Sequence, residues 1–83
     1  MINLGECNMK YWIDLGKTYG CGGEYSSIKD AKKEALAYAR GCYFGIAISC
    51  TVKRIDDDEV IAYVSHHYYD CFGKYHAAKF DRV

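Results

Sequence analysis

The sequence predicts an α+β fold: a single two-layer domain in which one helix packs on an antiparallel sheet of three to four strands. Three observations predict it. Ser27 to Arg40, SIKDAKKEALAYAR, carries apolar side chains at helical spacing between a start and a stop signal. Phe44 to Lys53 alternates apolar against small or polar residues, the period of a strand. Asp56-Asp57-Asp58-Glu59 is a polar break between two apolar runs, as a hairpin requires. The resulting order is β-α-β-β, with a further C-terminal strand.

Taken in order, residues 1–8 carry no periodic signal. Met9 to Leu15 alternates, with Met9, Tyr11, Ile13 and Leu15 on one face and Lys10, Trp12 and Asp14 on the other. Gly16 to Ser26 holds four glycines around Tyr19 and Tyr25, which predicts a loop or an irregular hairpin. Ser27 is placed to cap the helix, with Asp30 near its positive N-terminus. Gly41 is placed to end it in a left-handed conformation, with Arg40 in the last turn. At about 100° per residue, Ile28, Ala31, Ala35, Tyr38, Ala39 and Cys42 fall on the buried side.

The long strand then puts Phe44, Ile46, Ile48, Cys50 and Val52 toward the helix. After the acidic turn, Val60 to Tyr69 returns, with Val60, Ala62 and Val64 inward and Ile61, Tyr63 and Ser65 outward. Asp70-Cys71-Phe72-Gly73 reads as a turn, and Tyr75 to Val83 as the last strand.

At 83 residues the chain is one domain, 1–83, with a small core. Its composition is that of a folded chain, 27% charged. A net charge of zero removes any bulk electrostatic drive toward nucleic acid and leaves only local patches to act. No apolar run approaches the roughly 18 residues of a membrane helix, and the N-terminus has no signal-peptide pattern, so no membrane and a cytoplasmic location are expected. Five cysteines without a C-x-x-C spacing are expected to be reduced, with Cys42 and Cys50 on buried faces. Nine tyrosines form a surplus of the residue type that favours contact surfaces.

Four constellations bear on chemistry. His66, His67, Cys71 and His76, with Cys21, offer metal-ligating types, but adjacent strand histidines point to opposite faces and the spacing fits no zinc signature. Cys71 with Asp70 and His67 or His76 has the residue types of an activated thiol, in a chain with little room for a cleft. No catalytic residue, metal or cofactor is therefore assigned. Asp56, Asp57, Asp58 and Glu59 are a solvated hairpin tip or an electronegative knob for a basic partner. Lys29, Lys32, Lys33 and Arg40, with Lys53 and Arg54 on the neighbouring strand, are a solvated helix face or, with aromatics, a grip on a nucleic-acid backbone. No second helix covers the other sheet face. Trp12, Tyr43 and Tyr63 are expected there, as a partner-binding surface or a homodimer interface.

Ser27-Ile-Lys-Asp-Ala-Lys-Lys, then Gly45-Ile-Ala-Ile, Val60-Ile-Ala-Tyr and Asp70-Cys71, resemble small phage-encoded anti-CRISPR proteins. Those are built as a strand, a helix opening Ser-(Ile/Leu)-x-x-Ala-Lys-(Lys/Arg) and a hairpin. The similarity covers about half the chain and lies in element order and residue types. It implies a non-catalytic phage inhibitor that binds a host CRISPR effector, protein or ribonucleoprotein, and blocks nucleic-acid access. It transfers no functional residue by position. The neutral charge departs from the strongly acidic members of that group. The alternative expectation is a nucleic-acid-binding domain that uses an open aromatic and basic sheet face.

Overall fold

The computed structural model describes residues 10–83. The elements are β1 (Tyr11–Asp14), a single helical turn α1 (Gly16–Tyr19), β2 (Cys21–Tyr25), α2 (Ile28–Ala39), β3 (Cys50–Arg54), β4 (Val60–Ser65), β5 (Tyr68–Tyr69), β6 (Tyr75–His76) and β7 (Lys79–Arg82). Five strands form one antiparallel sheet in the order β2-β1-β3-β4-β7, and β5 and β6 pair only with each other. Helix α2 lies across one face of the sheet, so the fold is the expected two-layer α+β arrangement with more strands than expected.

The helix forms where the sequence places it. Ser27 has an extended backbone, and its hydroxyl accepts the Asp30 N–H at 3.1 Å. At the other end Gly41 takes φ +80°. Its N–H donates to the Tyr38 carbonyl, and the Cys42 N–H donates to Ala37, the pair of bonds of a Schellman stop. Ala31, Ala35 and Ala39 are fully buried at i, i+4 and i+8. A stripe without side chain beyond Cβ lets the helix axis come close to the sheet, and the Cys50 thiol lies 3.8 Å from the Ala35 carbonyl. Opposite the stripe sit Ile13, Leu15, Cys50, Val52, Ala62 and Val64, which with Ile48 complete the core.

Four expectations are corrected. The strand after the helix begins at Cys50, not Phe44. The left-handed Gly41 and Gly45, the bond from Gly45 N–H to the Gly41 carbonyl, and the bond from Ile48 N–H to the Tyr38 carbonyl fold residues 41–48 back on the helix end. Ile48, Cys50 and Val52 keep the predicted inward register, while Phe44 and Ile46 are about half exposed, at 49% and 51%. Cys42 is exposed, because the Schellman stop turns the chain off the helix before that position reaches the core.

Gly16 to Ser26 takes the irregular-hairpin form: β2 pairs with β1, with a register shift between Trp12 and Asp14. Its tight element is Gly22, where β2 passes close beneath Tyr38 and Ile13. Finally, the return strand ends at Ser65. The His66 N–H donates to the Ser49 hydroxyl (3.0 Å) and the His67 N–H to the Ala39 carbonyl at the helix end (3.2 Å), so both leave the ladder. Within β4, Ala62 and Val64 are buried as expected. Val60 is only half-buried, because the pairing slips by one residue between Val52 and Lys53.

Candidate functional site

The break at His66-His67 releases a second hairpin, β5–β6, from the end of the sheet that also holds the helix C-terminus. This finger is built from aromatic rings. Tyr68 and His76 face each other across the strands with centroids 4.6 Å apart and planes 8° from parallel. Tyr69 and Tyr75 follow at 5.3 Å, and His67 packs on Tyr75 at 5.8 Å.

The turn at its tip is organised by one carboxylate. Asp70 Oδ1 accepts the backbone N–H groups of Phe72 (2.9 Å) and Lys74 (3.0 Å), and Oδ2 accepts from His76 Nε2 (2.9 Å). The Asp70 N–H donates to the Lys74 carbonyl, and Gly73 supplies the left-handed residue at φ +80°. Held in this way, Phe72 stands 92% exposed at the tip, and Tyr69 is 69% exposed beside it. Two large rings exposed side by side on one turn make the tip a candidate contact site.

The hydrogen bond from His76, followed by those from Lys74 and Phe72, holds the Asp70 carboxyl below its ordinary value. A carboxyl depressed in the folded state contributes stability above its unfolded pKa, and that stability is lost as pH falls through the folded value. The tip is therefore expected to loosen below about pH 4, read as falling amide protection factors at Phe72 and Lys74 while those of β3 and β4 stay high. Asp70→Asn is expected to abolish the pH dependence. Equal protection at neutral and acid pH would contradict this account of the turn.

The residues singled out from the sequence lie in four separate places. Trp12 is on the open face as expected, but it is engaged. Its indole N–H donates to Asp58 Oδ1 at 3.1 Å, and the Lys53 ammonium lies 5.4 Å from the ring centroid. Lys53 also pairs with Asp14 at 2.8 Å, which raises the lysine pKa and lowers that of the acid. Tyr63 is exposed on the same face. Tyr43 is not on that face, which is a correction. It packs on Tyr38 of α2, its hydroxyl donates to Glu34, and with Phe44 against Tyr19 it forms an aromatic patch at the helix C-terminus.

Lys29, Lys32 and Lys33 are exposed on α2 and Arg40 at its C-cap, with Lys32 over the Phe80 ring at 5.3 Å. These four occupy the helix layer, while Trp12 and Tyr63 lie on the far side of the sheet, so they do not converge with the open-face aromatics; of the basic residues Lys53, over Trp12, does.

The acidic turn is largely spent internally. Arg54 pairs with Glu59 at 2.7 Å and with Asp57 at 3.5 Å, and Asp58 holds Trp12. Asp56 is the carboxylate of the four to which the structure gives no such contact among the described residues. Of the activated-thiol constellation, Asp70 and His76 meet in the finger turn and Cys71 is exposed near the tip. Among the described residues no three His, Cys, Asp or Glu side chains are placed to hold a metal ion.

The finger itself was half legible. The turn at Asp70–Gly73 is visible in the sequence, and ring-bearing residues flank it, His67-Tyr68-Tyr69 before and Tyr75-His76 after. What hides it is the run from Val60 to Tyr69, which has no glycine or proline to break it and makes one long strand the simpler reading. Comparisons with family models, with curated proteins and with solved structures return no match.

Proposed function

We propose that this chain is a binding protein and not a catalyst: an inhibitor of the anti-CRISPR type that seats on a host defence effector and blocks its access to nucleic acid. The observation that carries the binding reading is the finger, a rigid hairpin anchored at its base and offering Phe72 and Tyr69 to solvent. The exposed apolar patch of Tyr43, Phe44 and Ile46 lies at the same end of the sheet and widens the contact surface. The partner class comes from the resemblance in residues 27–33, 45–48, 60–63 and 70–71. Such an inhibitor works in the cytoplasm of the host cell.

Contacts of this kind draw their energy from a few aromatic anchors desolvated at the centre of the interface. By that rule Phe72 and Tyr69 outrank Trp12 and Tyr43, whose rings and polar atoms are already occupied, and the acidic turn, whose carboxylates are mostly paired. The experiment is a panel of purified CRISPR effector ribonucleoproteins, each tested for binding of its target strand with and without added protein. The expected result is loss of target binding in at least one complex at near-stoichiometric protein. If every complex binds its target equally well, the defence-complex reading is wrong.

A further inference from the structure

We infer that the β5–β6 finger itself binds single-stranded nucleic acid, stacking unpaired bases on Tyr69, Phe72 and Tyr75 and meeting the phosphates with Lys74 and Lys79. The inference does not rest on the defence-complex reading, since it concerns the chain alone.

The first ground is ring exposure. Every base has a π-face, so exposed rings on a stiff support form a sequence-tolerant platform for bases that are not already stacked in a duplex. Phe72, Tyr69 and Tyr75 offer such rings within one short hairpin.

The second ground is charge. The one carboxylate within the hairpin, Asp70, is consumed by two backbone N–H groups and His76, so it does not stand open to repel a phosphate. Lys74 sits in the turn and, among the described residues, has no carboxylate within ion-pair distance. Lys79 closes the base, in an exposed contact with Asp81 at 3.6 Å that salt and solvent screen. Rings flanked by cations suit a polyanion bearing flat apolar groups. They do not suit a basic protein channel, which would repel both lysines.

The third ground is shape. At the base of the finger, against β7, lies a cleft of ≈ 480 Å³ lined by His66, Tyr68, Tyr75, His76 and Lys79, with Asp81 in contact with Lys79, which gives a strand room beside Tyr75 and Lys79.

The test is fluorescence anisotropy of labelled oligothymidylate, oligouridylate and a blunt duplex, with purified protein and no effector, over a salt series. The expected result is binding of the single strands at low ionic strength and much weaker binding of the duplex. Phe72→Ala and Tyr69→Ala should each weaken it by about 5- to 150-fold, the range for losing one base stack. Phe72→Trp should retain binding. Lys74→Gln should lower the slope of log affinity against log salt by about 0.7. Both rings are exposed, so these variants keep the fold, and circular dichroism checks that they do. The inference is overturned by no binding of either single strand at low salt or by equal affinity for the duplex. It is also overturned if binding survives both ring substitutions and is lost instead on Lys29→Gln with Lys33→Gln. An oligonucleotide that binds leaves the effector panel to be decided separately, and a null result here leaves a protein-only contact for the inhibitor.

Discussion

Ile13→Ala is expected to destabilise the protein by about 2–5 kcal/mol, the range for truncating a fully buried aliphatic side chain. Ile13 has no exposed surface and sits on β1, an interior strand of the sheet between β2 and β3, under the alanine stripe of α2. The helix presents Ala31, Ala35 and Ala39 there, which have nothing beyond Cβ to extend into the space left behind, and Tyr38 is held nearby by its hydrogen bond to the Gly22 carbonyl. A cavity term therefore adds to the lost transfer energy. A domain of this size holds about 5–15 kcal/mol in all, so the variant is expected to unfold at a far lower urea midpoint with an unchanged slope. A shift below about 1 kcal/mol would mean that the helix and sheet close up at this point.

Gly22→Ala should also be costly, about 1–3 kcal/mol, for the opposite reason, since it adds an atom where there is no room. An added Cβ would stand 2.9 Å from the Tyr38 ring, 3.0 Å from Ile13 Cβ and 3.1 Å from Ile13 Cγ2. Tyr38 could swing aside at the expense of its hydrogen bond to the Gly22 carbonyl (3.1 Å), a bond that Tyr25 also makes (3.0 Å). Ile13 Cβ is fixed to the backbone of the central part of the sheet and cannot move alone. The strain is relieved most cheaply by loosening the edge strand β2, so amide protection should fall at Tyr25 before it falls in β3. The exposed neighbour Glu24→Ala serves as control and should stay within about 0.5 kcal/mol of the parent. A Gly22→Ala variant as stable as that control would show that the close approach of β2 to α2 contributes nothing.

The parts of the fold that were legible in the sequence are those governed by local rules. Ser27, Asp30 and Gly41 mark the helix ends by capping chemistry that acts over three or four residues, and all three act as expected. The inward register of Ile48, Cys50, Val52, Ala62 and Val64 follows from a period of two with one face buried.

What was not legible depended on distant partners. Phe44 and Ile46 fit the strand pattern, but the apolar surface that receives Phe44 is Tyr38 and Tyr19, brought there by the helix end and α1. The same contact carries Tyr43 away from the open sheet face. His66 and His67 leave the ladder because Ser49 and the Ala39 carbonyl offer better bonds, and neither is near in sequence. The finger follows from that break. Of the candidate site, the sequence located the turn at Asp70–Gly73. The exposure of Phe72 became visible only once β5 and β6 were separated from the main sheet.

The most direct measurement is the effector panel repeated with three proteins: the parent, a Tyr69→Ala/Phe72→Ala finger variant, and a Lys29→Gln/Lys33→Gln helix variant. All substituted positions are exposed, so all three should fold alike. The predicted result is that the parent and the helix variant lower target-strand binding of the same complex, while the finger variant needs at least about tenfold more protein to do so. A finger variant as potent as the parent, or a parent that affects no complex, would contradict the account.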